Sequence, residues 1–328
     1  MMDLTPQDVI KRCYQAAFGA EHLLTNAAKA LEYFQDEYEQ TLVDEKPLAE
    51  HISPDVCRVN LSAWKRLNLD PVWLWNLFKS SVFEYSRKDV FENYLAEASR
   101  QVRAGFYPFS YNQWEKYLYD YKGGSVHHSN EYREKYRPAY RILSGWAVDI
   151  LPILEKMAGL TGGVIAIDGR AASGKTTFTS KFIETIFENK DIVIRMDDFF
   201  LPPELRTQGR PNIHHERFAT EILPVIRSGK YFEYRKFDCQ AMSYSGIATV
   251  QPHPWRVVEG VYSHHPILGG YTDIKVLLNI DPAKQKNRIE NRNSPKIAAD
   301  YFSKWIPMEE AYFKALNLGG TICITPKK

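Results

Sequence analysis

The chain has 328 residues, enough for two cores at the usual domain size of roughly 150. Its 44% apolar and 25% charged residues are the balance of an ordinary globular protein, which excludes a disordered or disulfide-stapled class. A net charge of +2 argues against a broad basic face for nucleic acid, and no apolar run approaches the ~20 residues that span a bilayer.

From the N-terminus, about 120 residues read as helices with clear start signals. Thr5-Pro6, Ser53-Pro54 and Asp70-Pro71 each place a capping side chain before a proline suited to the first helical position. Ala28, Leu31, Phe34 and Tyr38 fall on one helical stripe, as do Trp75, Phe78 and Val82. Aromatic residues crowd 106–121. A base-stacking surface would need basic residues between them, and few are present, so packing is the expectation. Gly123-Gly124 and the following SVHHSN read as a loop, which sets a boundary: 1–130 an all-α accessory module, 131–328 a second domain.

In that second domain a helix ends near Gly159. Apolar runs at 163–168, 191–196, 255–259, 273–280 and 320–325 then alternate with helical stretches. This is the pattern of an α/β fold whose parallel sheet is covered by helices on both faces. Ligands of such sheets lie beyond the carboxyl ends of the strands.

The first of these strands runs into Gly169, Arg170, Ala171, Ala172, Ser173, Gly174, Lys175, Thr176 and Thr177, the spacing G-x-x-x-x-G-K-T. Phe178, Phe182 and Ile186 follow at helical spacing. The loop therefore sits on a helix N-terminus, where backbone N–H groups and the dipole favour phosphate. Lys175 is expected on the β- and γ-phosphates of ATP, and Thr176 on Mg²⁺. The fold expectation becomes a P-loop NTPase-type sheet.

The second strand ends in Asp197-Asp198, placed to orient an acceptor hydroxyl and take its proton; in an extended chain only one of the two would face the site. The third ends in Glu259-Gly260, a position for a carboxylate that holds Mg²⁺ together with Thr176, and Asp197 could share that role. Arg288 and Arg292, four apart on a helical stretch, could close on the transferring phosphoryl group; a solvated basic face is the rival explanation. Residues 303–313 mix aromatic and acidic side chains and read mostly as packing.

With these motifs in this order, residues 160–315 resemble the uridine kinase-like group, which includes phosphoribulokinase and pantothenate kinase relatives. The resemblance implies that Asp197 is the general base, that Glu259 is the magnesium ligand or its water partner, and that Arg288 and Arg292 are lid arginines. It also implies a substrate pocket near Phe237 and Asp238, which resemble a tyrosine–aspartate segment, and near His215 and Arg217. The 212–218 stretch lacks the aspartate that the family places on the ribose, and no histidine follows Asp238 where the family reads the base. The acceptor is thus expected to be a nucleoside or a similar small hydroxyl compound. Pantothenate-like and sugar-phosphate-like acceptors stay open, as does a non-catalytic nucleotide sensor.

Three histidine pairs (127–128, 214–215, 264–265) lack any zinc-like spacing with cysteine or acid. His127-His128, followed by Tyr132, Arg133, Arg137 and Arg141, reads as surface loop, with an anion or sugar-phosphate pocket as the alternative. The scattered Cys13, Cys57, Cys239 and Cys323 and an N-terminus without a signal-like apolar segment suit a cytoplasmic protein. Beyond the small-molecule acceptor, no nucleic-acid or membrane partner is expected.

Overall fold

The computed structural model describes residues 4–20, 24–81, 87–188, 190–207, 212–238 and 241–326. Val82 and Cys239 lie outside them. The chain divides into two units, one ending at Leu151 and the other covering Pro152–Pro326.

The first unit holds helices α1 (Pro6–Phe18), α2 (Ala27–Gln40), α3 (Leu61–Arg66), α4 (Pro71–Lys79), α5 (Lys88–Arg103), α6 (Tyr111–Asp120), α7 (Asn130–Tyr136) and α8 (Trp146–Asp149). Two of the three proline start signals hold. Pro6 opens α1, where the Asp8 carboxylate accepts the Thr5 N–H at 3.1 Å. Pro71 opens α4, where Asp70 accepts from Val72 N at 2.8 Å. The third differs: Pro54 and Asp55 turn a hairpin between β1 (Ala49–Ser53) and β2 (Val56–Asn60).

The all-α expectation for this unit is therefore corrected. β3 (Tyr140–Ser144) pairs antiparallel with β2, giving a three-stranded sheet in the order β1-β2-β3. This pairing also draws residues 131–151 into the first unit and moves the boundary from 130 to 151. A short strand whose partner lies about 80 residues away has no local signal strong enough to mark it. The crowded aromatics do pack: Trp114 is fully buried in a cluster with Val9, Ile10, Ala98 and Val102, flanked by Tyr107, Phe109 and Tyr117.

The second unit carries the parallel sheet. Its strands are β4 (Gly163–Gly169), β5 (Val193–Arg195), β8 (Trp255–Glu259), β9 (Ile274–Leu278) and β10 (Ile322–Ile324), ordered β10-β9-β4-β8-β5 and all parallel. Each coincides with or overlaps one of the five apolar runs. Between β5 and β8 an antiparallel hairpin, β6 (Phe232–Asp238) and β7 (Ser243–Val250), is inserted. The helices are α9 (Leu151–Met157), which begins at the boundary, α10 (Lys175–Phe187), α11 (His215–Glu221), α12 (Pro282–Arg292), α13 (Pro295–Asp300) and α14 (Ile306–Ala315). β4 is central, so its C-terminal end opens between β8 and β9. No helix among the described residues is long and apolar enough to cross a membrane.

Candidate active site

Two glycines decide how closely the strand ends converge. At Gly169 (φ +154°) a Cβ would stand 2.4 Å from the Leu278 carbonyl oxygen of β9. At Gly260 (φ +139°) it would stand 2.6 Å from Met196 Cβ. Any side chain would push β4 from β9, or the exit of β8 from the turn after β5.

Beyond Gly169 the loop turns through Arg170 and Ala171, then Ala172 in the left-handed region (φ +58°), Ser173 and Gly174 (φ +96°), before α10 begins at Lys175. Thr176 and Thr177 follow in its first turn. This is the anion-receptive arrangement expected of the motif. The Lys175 ammonium folds back over the loop, donating to Gly169 O (2.7 Å) and Arg170 O (3.0 Å). Arg288 of α12 donates to Ala172 O at 2.9 Å, so this arginine touches the loop directly.

Opposite the loop, Glu259 closes β8. Its Oε1 accepts from the Thr176 hydroxyl at 3.3 Å, and its Oε2 pairs with Arg195 at 3.2 Å. Burial raises the pKa of this carboxyl, as does the neighbouring Asp197, against Lys175 and Arg195. A hydroxyl and a carboxylate side by side form an all-oxygen donor set that suits Mg²⁺, which keeps several waters and needs one or two protein oxygens. Among the described residues, no group of three His, Cys, Asp or Glu side chains gathers to hold a metal by itself.

Asp197 and Asp198 lie on a 3-10 turn (Met196–Phe199), not in extended chain, so their separation has a different cause from strand alternation. Asp198 accepts from the Tyr234 hydroxyl at 2.9 Å and faces the hairpin. Asp197 faces the charges of the loop. It is open to solvent yet closely surrounded by protein; that partial desolvation raises its pKa, while Lys175, Arg195 and Arg292 pull it down. Arg292 thus lies within electrostatic reach of Asp197, as Arg288 lies at the loop.

The chain matches no protein-family model. Over 158 residues, 44% of this chain and 34% of the other, it is 25% identical to "Uridine kinase-like protein 4" of Arabidopsis thaliana. The chain is similar to uridine kinase-like P-loop proteins. The matched stretch spans about a third of that plant protein's length. Two solved structures are also similar. One is a possible uridine kinase from Bacillus stearothermophilus (TM-score 0.40, 16% identity, 51% of this chain and 91% of that one). The other is a putative fructose transport system kinase from Silicibacter sp. TM1040 (TM-score 0.44, 19% identity, 54% and 97%).

Around this centre, the residues assigned to an acceptor pocket divide. Arg217 is tied into the protein: it donates to Asp198 O (2.9 Å), Glu221 (3.0 Å) and Arg235 O, and lies over the Phe199 ring. It braces the turn that carries Asp197. Phe237 is buried edge-on to Tyr244, and Asp238 accepts from Ala241 N at 3.1 Å. His215 is buried, stacks on His265 (4.4 Å between centroids), and its Nε2 has no hydrogen-bond partner among the described residues. Burial and His265 push its pKa down to about 4, so the ring is neutral at ordinary pH.

Four positioning residues carry no motif in the sequence. Asp168, fully buried at the end of β4, accepts from Gly169 N (2.7 Å), His264 N (3.0 Å) and the Tyr312 hydroxyl (2.6 Å). Glu309 of α14 accepts the Ala171 N–H at 2.8 Å, and Gln285 of α12 donates to Ala171 O at 3.0 Å. Glu310 grips Arg170 with both oxygens (2.5 and 2.9 Å). Part of the 303–313 stretch is thus a brace for the phosphate loop. The acidic pair beside aromatic residues was its only signal, and no local rule connects such a pair to a loop 140 positions earlier.

Proposed function

We propose that the protein is an ATP- and Mg²⁺-dependent kinase that phosphorylates a hydroxyl of a small metabolite, with a nucleoside-like compound as the favoured acceptor. The observation that carries this reading is the convergence of Asp197, Glu259 and Lys175: a carboxylate facing the phosphate loop, beside a second carboxylate already paired with the loop threonine. A protein that only sensed nucleotide would need the loop but no base aimed at an incoming alcohol.

In this reading the 169–177 backbone and Lys175 hold the triphosphate, with Lys175 exchanging its two carbonyl partners for phosphate oxygens. Thr176 and Glu259 would hold Mg²⁺, which supplies charge neutralisation on the phosphates when bound. Asp197 accepts the proton of the acceptor hydroxyl as that oxygen bonds to the γ-phosphorus and the bond to ADP breaks. The raised pKa of Asp197 makes it a better proton acceptor than an ordinary aspartate. Arg288 and Arg292 offset the charge that spreads over the transferring group.

The test is ADP formation from ATP and Mg²⁺ with a panel of nucleosides, pantothenate, sugars and sugar phosphates, using the wild type and Asp197→Asn. The expected result is acceptor-dependent turnover that falls about 10²–10⁴-fold in the variant while ATP binding persists. ATP binding with no acceptor phosphorylated, even in a broad metabolite extract, would leave the sensor reading instead.

A further inference from the structure

The first unit contains a polar cavity of its own. About 1850 Å³ in volume and open to solvent, it is lined among others by Lys11, Gln15, His128, Arg133, Tyr140 and Arg141. The expectation that the 127–141 stretch is ordinary surface loop fails at its centre, because His128, Ser129 and Arg141 are buried. We infer that this cavity is a second ligand site, one that takes a small phosphorylated metabolite with its phosphate held by Lys11 and Arg133.

The argument begins with the charges under the cavity. Asp8 is buried and its acceptor capacity is heavily used: it receives His128 Nδ1–H (2.9 Å), Ser129 N–H (3.0 Å), the Ser129 hydroxyl (2.6 Å), and the Thr5 hydroxyl (2.7 Å) and N–H. Burial would raise its pKa, but these bonds together hold the carboxyl far below its usual range. Bonding Asp8 leaves His128 Nε2 free to accept from the Tyr140 hydroxyl at 2.7 Å. Gln15 in turn donates to Tyr140 (3.0 Å) and accepts from buried Arg58 (2.9 and 2.7 Å). The result is a rigid polar floor, assembled from α1, β2, β3 and the segment before α7.

On that floor Arg58 is offset by Glu50 at 3.6 Å, whereas no described salt bridge joins Lys11 or Arg133 to a carboxylate. The described hydrogen bond of the Lys11 ammonium goes to a neutral acceptor, Val126 O at 2.9 Å. Burial, and then Arg58 and Arg133, lower its pKa to about 8 against the weaker pull of Asp8. Arg133 on α7 is exposed and bonds His128 O through Nε (3.1 Å); no hydrogen bond among the described residues uses the rest of its fork. In the wall, buried Arg141 has one nitrogen, Nη2, without a partner among the described residues. The acids of the wall do not neutralise the floor: Glu37 is tied to Arg141 and Asp44 to Lys46, while Asp36 and Glu134 are exposed. A phosphate dianion would offset the charges of Lys11 and Arg133, and its fork-matched oxygens suit Arg133. The phenols and amides around it suit a hydroxyl-bearing remainder.

The experiment uses the full chain carrying Lys175→Ala, which weakens phosphate binding at the loop of the second unit. Calorimetric titration with inorganic phosphate, ribose 5-phosphate and ribose should give saturable binding of both phosphates and none of ribose. In the same background, Lys11→Met and, separately, Arg133→Met should each weaken ribose 5-phosphate by about tenfold or more, with Lys11→Arg restoring part of it. The exposed Arg133 variant keeps the test open should the Lys11 variant fail to fold. No saturable heat with either phosphate would overturn the inference. So would ribose binding as well as its phosphate, or affinity unchanged in both methionine variants.

Discussion

Asp8 in the first unit and Asp197 in the second are both crowded by protein, yet burial has opposite outcomes in the two. Asp8 has donors on both oxygens from Thr5, His128 and Ser129, and its charge is locked in. Asp197 has cations nearby, Lys175, Arg195 and Arg292, but desolvation prevails and its charged form is disfavoured. A carboxylate whose acceptor sites are filled by the fold is an anchor. One surrounded by unsaturated charge keeps acceptor capacity for something that arrives later.

The contrast can be broken at several points. The largest effect should come from Lys175→Ala, expected to lower turnover by at least ~10³-fold in the acceptor assay, because the loop loses its mobile cation. Next, Asp8→Asn should destabilise the first unit by about 3–5 kcal/mol in urea unfolding, since it removes the charge that orders His128 and Ser129. Asp197→Asn should leave the unfolding midpoint unchanged or higher, and a loss of stability as large as that of Asp8→Asn would abolish the distinction.

The pH dependence carries the same contrast with opposite sign. Asp8 has a lowered folded pKa, so its contribution is full above the ordinary 3.8 and is lost as pH falls from there through the lower folded value. Buried His128, also lowered from 6.5, begins the decline earlier, because the unfolded chain takes a proton that the folded one refuses. Asp197 and Glu259 have raised pKa values, so their contribution is present at low pH and lost as pH rises through the folded values. Acid titration of unfolding, followed by fluorescence, should therefore weaken the first unit while the second loses less. The acid limb of kcat/KM should fall at a pH above 3.8. The smallest effect belongs to Glu310→Gln, whose half-exposed pair with Arg170 should contribute under ~1 kcal/mol to stability.

The second unit was the more legible because its chemistry is written contiguously. Gly169 to Thr177 is one run of sequence, and Asp197 and Glu259 each close an apolar strand, so position along the chain implies position in the site. The inserted hairpin escaped notice because a bulge between Arg235 and Phe237 interrupts the alternation, and most of its side chains face solvent. In the first unit, Asp8 and His128 are 120 positions apart, and β2 meets β3 across 80 or more. Neither residue type is rare and no spacing rule joins them, so only folding reveals the pair.

One consequence of the brace on Ala171 and Arg170 concerns the order of synthesis. During translation the phosphate loop leaves the ribosome about 140 residues before Glu309 and Glu310, and at ordinary elongation speed that is a delay of roughly 7–30 s. A nascent chain therefore has the glycine-rich turn well before it has the carboxylates that fix its shape. The final shape of that turn is tied to the arrival of α14.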